Sequence, residues 1–175
     1  MDMYEATRKA TSLAKSGELD AAIDLLKSTV KKMQTVGGYS NNGYTKIIPY
    51  FQKAGRYGEA IEYSLNHLVP AVKADCKITF QQKCDEIQEA FIELSEHQVY
   101  DKLRLNAKRE GAKHDEEKFE ILSKLHFSNY QKLLKIGNEN QRKIDYQEIL
   151  NLFGPDYSQW PELFRKKYAD FIKNT

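Results

Sequence analysis

Apolar residues recur three and four positions apart along most of the chain, the spacing of helices that bury one face. Tyr4 to Ser16 carries Ala6, Ala10, Leu13 and Ala14 on one side and stops at Gly17. Leu19 to about Thr35 repeats the pattern with Ala22, Ile23, Leu26 and Val30. Glycine and asparagine dominate residues 37–43, which read as a loop. A third helix runs from there to Ala54, and a fourth starts near Tyr57 and reaches about Ala74, with Pro70 expected to end or kink it. From Ile78 to Arg109 there is neither glycine nor proline, and Cys84, Ile87, Phe91 and Leu94 keep helical spacing, continued by Ala90, Val99, Leu103 and Ala107. This predicts one long helix, stopped at Gly111. A second, capped by Asp115, carries Phe119, Leu122, His126, Tyr130 and Leu133 as far as Gly137. The two should pair as an antiparallel hairpin with Ile87, Phe91, Leu94, Leu122 and Leu133 buried between them. A shorter helix over Gln141 to Phe153, a turn at Gly154, and a last helix entered at Pro161 complete the chain. Phe164, Tyr168, Phe171 and Ile172 of that last helix should pack inward.

Two segments of the first half match each other. Lys15 to Ile23 and Lys53 to Ile61 both read Lys-x-Gly-x-ϕ-x-x-Ala-Ile, ϕ being apolar, with Gly17 and Gly55 38 residues apart. That period belongs to helical repeats, and the segment resembles the corner of a tetratricopeptide repeat. Each glycine would permit a left-handed turn between paired helices. Ala22 and Ala60 would sit where those helices cross closely, and Leu13 and Phe51 stand where the family has a large apolar residue. The resemblance covers residues 4–74. It departs from the family in a spacing about four residues longer, which the 37–43 loop can absorb. It also lacks the tryptophan-leucine-glycine part of the signature and has Pro49 inside the third helix, where it should bend it. The expected fold class is therefore all-α, within a single helical domain over 1–175. Two tetratricopeptide-like hairpins (4–74) precede a C-terminal half (78–175) made of a long antiparallel hairpin and two shorter helices.

The resemblance implies that the first helix of each hairpin lines a concave groove. Tyr4, Thr7, Thr11 and Lys15 would face it from the first helix, and Thr45, Gln52 and Lys53 from the third. One subclass of the family clamps a chaperone's terminal carboxylate with lysine and asparagine; Thr7 and Thr11 stand at those places and argue against that role.

Composition narrows the functional classes. The chain has 175 residues, 30% of them charged, and a net charge of only +2, against the larger basic excess of a dedicated nucleic-acid binder. Cys76 and Cys84, eight positions apart on one predicted helix, would have Cα atoms roughly 12 Å apart, too far for a disulfide. No run of apolar residues approaches a membrane span, and residues 1–5 have no secretory character, so a cytoplasmic protein is expected. The nucleophile elbow, the zinc-protease motif, the phosphate-cradling glycine loop and the Cys-x-x-Cys pair are all missing. No two of His67, His97, His114 and His126 have i, i+4 spacing. No catalytic, cofactor or metal residue is expected, and His126, on an apolar stripe, reads as a hydrogen-bonded boundary residue.

Two surfaces suit a protein partner. Glu86, Glu89, Glu93 and Glu96 form an acidic row on the long helix, read first as a solvated face. Beyond it His97, Tyr100, Arg104 and Lys108 share a face, an aromatic next to cations as in interface hot spots. The second surface is the groove face of Tyr4, Thr7, Lys15, Thr45 and Lys53. The expected function is a non-enzymatic protein-binding module, and specifically an immunity or antitoxin-like inhibitor that occludes a toxin encoded nearby. The alternatives are an adaptor or chaperone for a secreted or signalling protein, and an RNA-binding protein using residues 100–113.

Overall fold

A computed structural model describes residues 3–39 and 41–173. Among them the secondary structure is entirely helical. Helices α1 (Met3–Lys15) and α2 (Leu19–Val36) form the first hairpin. Helices α3 (Asn41–Thr45) and α4 (Ile48–Lys53) pair with α5 (Tyr57–Tyr63) and α6 (Val69–Thr79) in the second. Helices α7 (Asp85–Glu110) and α8 (Lys113–Phe153) form the long hairpin, and α9 (Glu162–Lys167) and α10 (Ala169–Lys173) close the chain.

The predicted corners are present. Gly17 and Gly55 have φ of +88° and +71°. At each, the amide three residues past the helix reaches back five positions: Glu18 N–H donates to Leu13 O and Arg56 N–H to Phe51 O, both at 2.9 Å. This closure satisfies carbonyls that the helix end leaves unpaired. The turn at Gly111 is built the same way, Ala112 N–H donating to Ala107 O at 3.0 Å. All three hairpins therefore share one corner, although only two carry the sequence pattern. Ala22 and Ala60 are fully buried, as a close helix crossing requires.

Several boundaries differ from expectation. The 37–43 loop is shorter, because a helix begins at Asn41; Ser40 lies outside the described residues. The third helix is two, α3 and α4, parted at Lys46 and Ile47. The break lets Pro49 occupy the first turn of α4, where its missing N–H costs nothing. Pro70 does not end its helix. Residues Ser64–Leu68 widen into a π turn, Val69 N–H reaching Ser64 O, and the helix continues to Thr79. The stretch from Ile78 to Arg109 is not one helix, since α6 ends at Thr79 and α7 begins at Asp85. The chain doubles back there so that Phe80 stacks on Phe91, ring centroids 4.0 Å apart, and the Cys76 thiol donates to Phe91 O at 3.4 Å. The two cysteines thus lie on different elements, and both are free. Asp115 does not cap α8; Ala112 precedes the helix, and the Asp115 carboxylate accepts from the Tyr57 hydroxyl at 2.9 Å.

Gly137 is the largest departure. It does not stop a helix, because α8 runs through it for 41 residues. A Cβ at Gly137 would fall 2.7 Å from Ile87 Cγ1, 2.9 Å from Ile87 N and 3.2 Å from the Glu86 carbonyl carbon. The glycine is there because the start of α7 lies against α8 backbone to backbone. Around it Cys84 N–H donates to Gln141 Oε1 (2.8 Å), the Cys84 thiol to Gly137 O (3.4 Å), and Asn140 Nδ2 to Glu86 Oε1 (2.9 Å). Farther along, His97 meets Ser123, which fixes the pair as antiparallel.

The core lies where α7 meets the second hairpin. Val99, Leu103 and Ala107 are fully buried with Tyr44, Ile47 and Phe51. Of the five residues expected between the long helices, Ile87 is buried, while Phe91, Leu94, Leu122 and Leu133 are only half-buried. Past Gln141, α8 overhangs α7, and the C-terminal segment folds onto that overhang. Trp160 and Tyr168 are buried beside Tyr146, and Trp160 Nε1 donates to Gly154 O at 2.9 Å. Phe164, Phe171 and Ile172 are half-buried around them.

The Gly137 contact predicts a sign reversal between two helical glycines. Gly137→Ala should destabilise the protein by about 1–3 kcal/mol, because the backbone of α7 must shift. Gly58→Ala, in α5 with open space around it, should stabilise by roughly 0.5 kcal/mol through reduced freedom of the unfolded chain. Urea denaturation of both variants measures the difference.

Candidate functional site

One face of α7, buried or half-buried as far as Asn106 and exposed at Arg109, borders open space beside the second hairpin. Phe91, Ser95, Gln98, Lys102, Asn106 and Arg109 recur along it at helical spacing and line two clefts that meet at Lys102. From Phe91 to Arg109 the face is roughly 27 Å long. Thr45 of α3 and Gln52 and Lys53 of α4 stand opposite, in the positions that the repeat resemblance assigned to a concave groove.

The upper cleft, about 620 Å³, is walled by α6. Its organising group is Asp75, 4% exposed. One carboxylate oxygen accepts from Gly38 N–H (2.8 Å) and the Thr79 hydroxyl (2.8 Å), the other from Tyr39 N–H (3.2 Å) and the Tyr44 hydroxyl (2.6 Å). Burial and then the Asp75 carboxylate push the Tyr44 hydroxyl far above its ordinary range, so it stays a donor. Cys76 faces the same cleft with Ser95 Oγ 3.2 Å from its sulfur. Burial pushes this thiol up, against the downward pull of the Ser95 bond, which leaves little thiolate near neutrality.

The lower cleft, about 530 Å³, is basic. Lys53, Lys102 and Arg109 line it, and among the described residues none of the three is in an ion pair. Asn106 lies at its base, 1% exposed, and neither its Nδ2 nor its Oδ1 has a hydrogen-bond partner among the described residues. A buried amide left so costs about 1–3 kcal/mol.

Of the other predicted face, His97 and Tyr100 pack against α8, and His97 also borders the upper cleft. His97 Nδ1 lies 3.0 Å from Ser123 O and 2.9 Å from Ser123 Oγ. The Tyr100 ring stacks on His126 at 5.1 Å and packs against the core, and burial pushes its hydroxyl up. Arg104 is paired with Asp101 at 2.7 Å, and Lys108 is exposed near the end of α7. The acidic row also enters this seam. His126 Nδ1 lies 2.9 Å from Glu93 Oε2, and Glu96, 5% exposed, takes Lys73 Nζ at 2.9 Å. Glu93, Glu96 and His126 could hold a divalent ion, their ligand atoms lying within 4.8 Å of one another. Lys73 already provides a cation there. Burial works to lower its pKa, and the bond to Glu96 together with the charges of Glu96 and Glu89 and the nearby Tyr100 outweighs this and holds it above the ordinary lysine value.

Tyr4, Thr7 and Lys15 of the groove prediction line neither cleft. Tyr4 and Lys15 are exposed on α1, and the Thr7 hydroxyl donates to Tyr4 O at 2.9 Å. The structure thus brings Thr45 and Lys53 together with α7 and leaves the α1 residues apart. Asn106 was not anticipated. Its signal was a polar side chain on the stripe of Val99, Leu103 and Ala107. The chain matches no protein-family model, no curated protein and no solved structure, so the reading of this site rests on its own geometry.

If Tyr100 belongs to the seam, Tyr100→Ala should cost about 2–4 kcal/mol of stability, whereas Arg104→Ala should stay within roughly 0.5 kcal/mol. Thermal melts of the two single variants separate packing from surface charge.

Proposed function

We propose that this protein is a non-enzymatic, tetratricopeptide-like protein-binding module that receives a segment of its partner in the groove between the second hairpin and α7. The observation that carries the reading is the continuity of that groove. A single α7 face, roughly 27 Å long, runs past both clefts, opposite Thr45, Gln52 and Lys53. A peptide binder needs such a length, whereas a reaction centre needs a few groups converging on one point. The reactive side chains are committed elsewhere. Cys76 is held as a thiol, His97 is bound to Ser123, and Asp75 is engaged by four donors.

Within this class the inhibitor role remains the leading one. A groove walled by packed helices binds with little rearrangement, which suits a protein that occludes a toxin. Of the two expected surfaces, the reading takes the one that includes Thr45 and Lys53.

Unbiased peptide display against the full chain tests it. The wild type should enrich a consensus sequence. Gln98→Trp, which fills the middle of the groove, should weaken the enriched peptides by about tenfold or more with an unchanged melting temperature. Failure to enrich any sequence, or binding indifferent to Gln98→Trp, would remove the groove from the function.

A further inference from the structure

The lower cleft specifies its occupant further than the groove as a whole. Asn106 offers a donor and an acceptor side by side, both unused. The complement of that pair is another amide, and in an extended peptide the N–H and C=O of one residue lie along the same edge. Lys53, Lys102 and Arg109 surround the amide without an ion pair among the described residues. Asp101, which lines the upper cleft beside Lys102, is engaged by Arg104. Three cations with no counter-charge select carboxylates. Beside Asn106 the cleft is lined by Gln52, Lys53, Lys102 and Arg109, all long and unbranched side chains that can move to admit a chain.

Resting on the protein-binding reading above, we propose that the cleft between α4 and α7 binds an extended acidic segment of the partner. Asn106 pairs with the main-chain N–H and C=O of one residue, and Lys53, Lys102 and Arg109 pair with the carboxylates of its neighbours. The amide fixes where the strand lies, and the cations decide which strand is accepted. Asn106 is then a binding residue held at the expense of stability, since an apolar side chain of similar size would leave no polar atom unpaired.

The experiment uses the full chain and an array of short acetylated, amidated peptides, rich in Glu and Asp, in Lys, or in Ser, with affinities measured by fluorescence anisotropy. Acidic peptides should bind, and their affinity should fall as salt is raised. Lys102→Gln and Arg109→Gln, both at accessible positions, should each weaken binding by about tenfold without lowering the melting temperature. Asn106→Leu should abolish binding while holding or raising the melting temperature. Asn106→Asp, of the same size, provides the check if the leucine variant does not fold, and it too should lose the acidic peptides. Unchanged affinity in either folded Asn106 variant would overturn the proposal and leave the amide a hydrated structural group. Peptides that bind regardless of acidity, yet are lost with Gln98→Trp, would overturn the acidic specificity and leave the protein-binding reading standing. A uridine oligonucleotide that binds more tightly than every acidic peptide would overturn the proposal in favour of RNA.

Discussion

Helix α7 has to bury two faces at once, and the rest of the molecule is arranged around that demand. Val99, Leu103 and Ala107 pack against the second hairpin, while Ile87 and Tyr100 pack toward α8. A helix covered on two sides cannot keep its charges on one solvated stripe. Glu93 and Glu96 therefore fall inside the seam, where they are tolerated because His126 and Lys73 meet them there. The same demand explains Gly137. Helix α8 can lie along the whole of α7 only if the two backbones approach at the end where Cys84 and Glu86 bond to Gln141, Gly137 and Asn140.

Asp75 gives the groove a fixed wall. Its carboxylate gathers two backbone amides of residues 38 and 39 and the hydroxyls of Tyr44 and Thr79, so the segment after α2, helix α3 and helix α6 are tied at one buried point. Hydrogen bonds to a buried carboxylate are each stronger than neutral ones, and leaving any of these donors unpaired would be costly. The wall opposite α7 is therefore fixed by the fold itself.

What the sequence made legible follows from how specific each signal is. Gly17 and Gly55 could be read because a left-handed residue followed by a small one at a helix crossing leaves a distinctive pattern. Gly111 closes its corner in the same way but without the alanine and isoleucine that mark the other two. Gly137 was ambiguous in principle, since a glycine that ends a helix and one that admits a neighbour's backbone look alike in one dimension. The break between α6 and α7 left no signal, because none of its residues has a positive φ and the turn therefore needs no glycine. Pro49 and Pro70 were read as disruptions, and both are accommodated, one by starting a helix after a break and the other by a π turn. Thr45 and Lys53, expected on a groove face from the repeat resemblance, line the clefts beside α7. The face of His97 and Tyr100 was a correct helical face given the wrong surroundings, since periodicity says which residues share a side but not what lies against them.

That distinction bears on where function sits. Tyrosine next to arginine reads as a hot spot only where the pair is free to meet a partner, and here Tyr100 is stacked on His126 and Arg104 is tied to Asp101. The lower cleft shows the opposite condition, with polar groups brought to a surface or buried beneath it and left unengaged. Folding alone gives no reason to place an amide at position 106, between Leu103 and Ala107 on the apolar stripe, or to gather Lys53, Lys102 and Arg109 along the same cleft with no ion pair among the described residues. Each choice weakens the isolated molecule, the first through an unpaired amide and the second through repulsion between like charges. A bound acidic strand, as proposed above, would relieve both at once, which ties the two features to one cause.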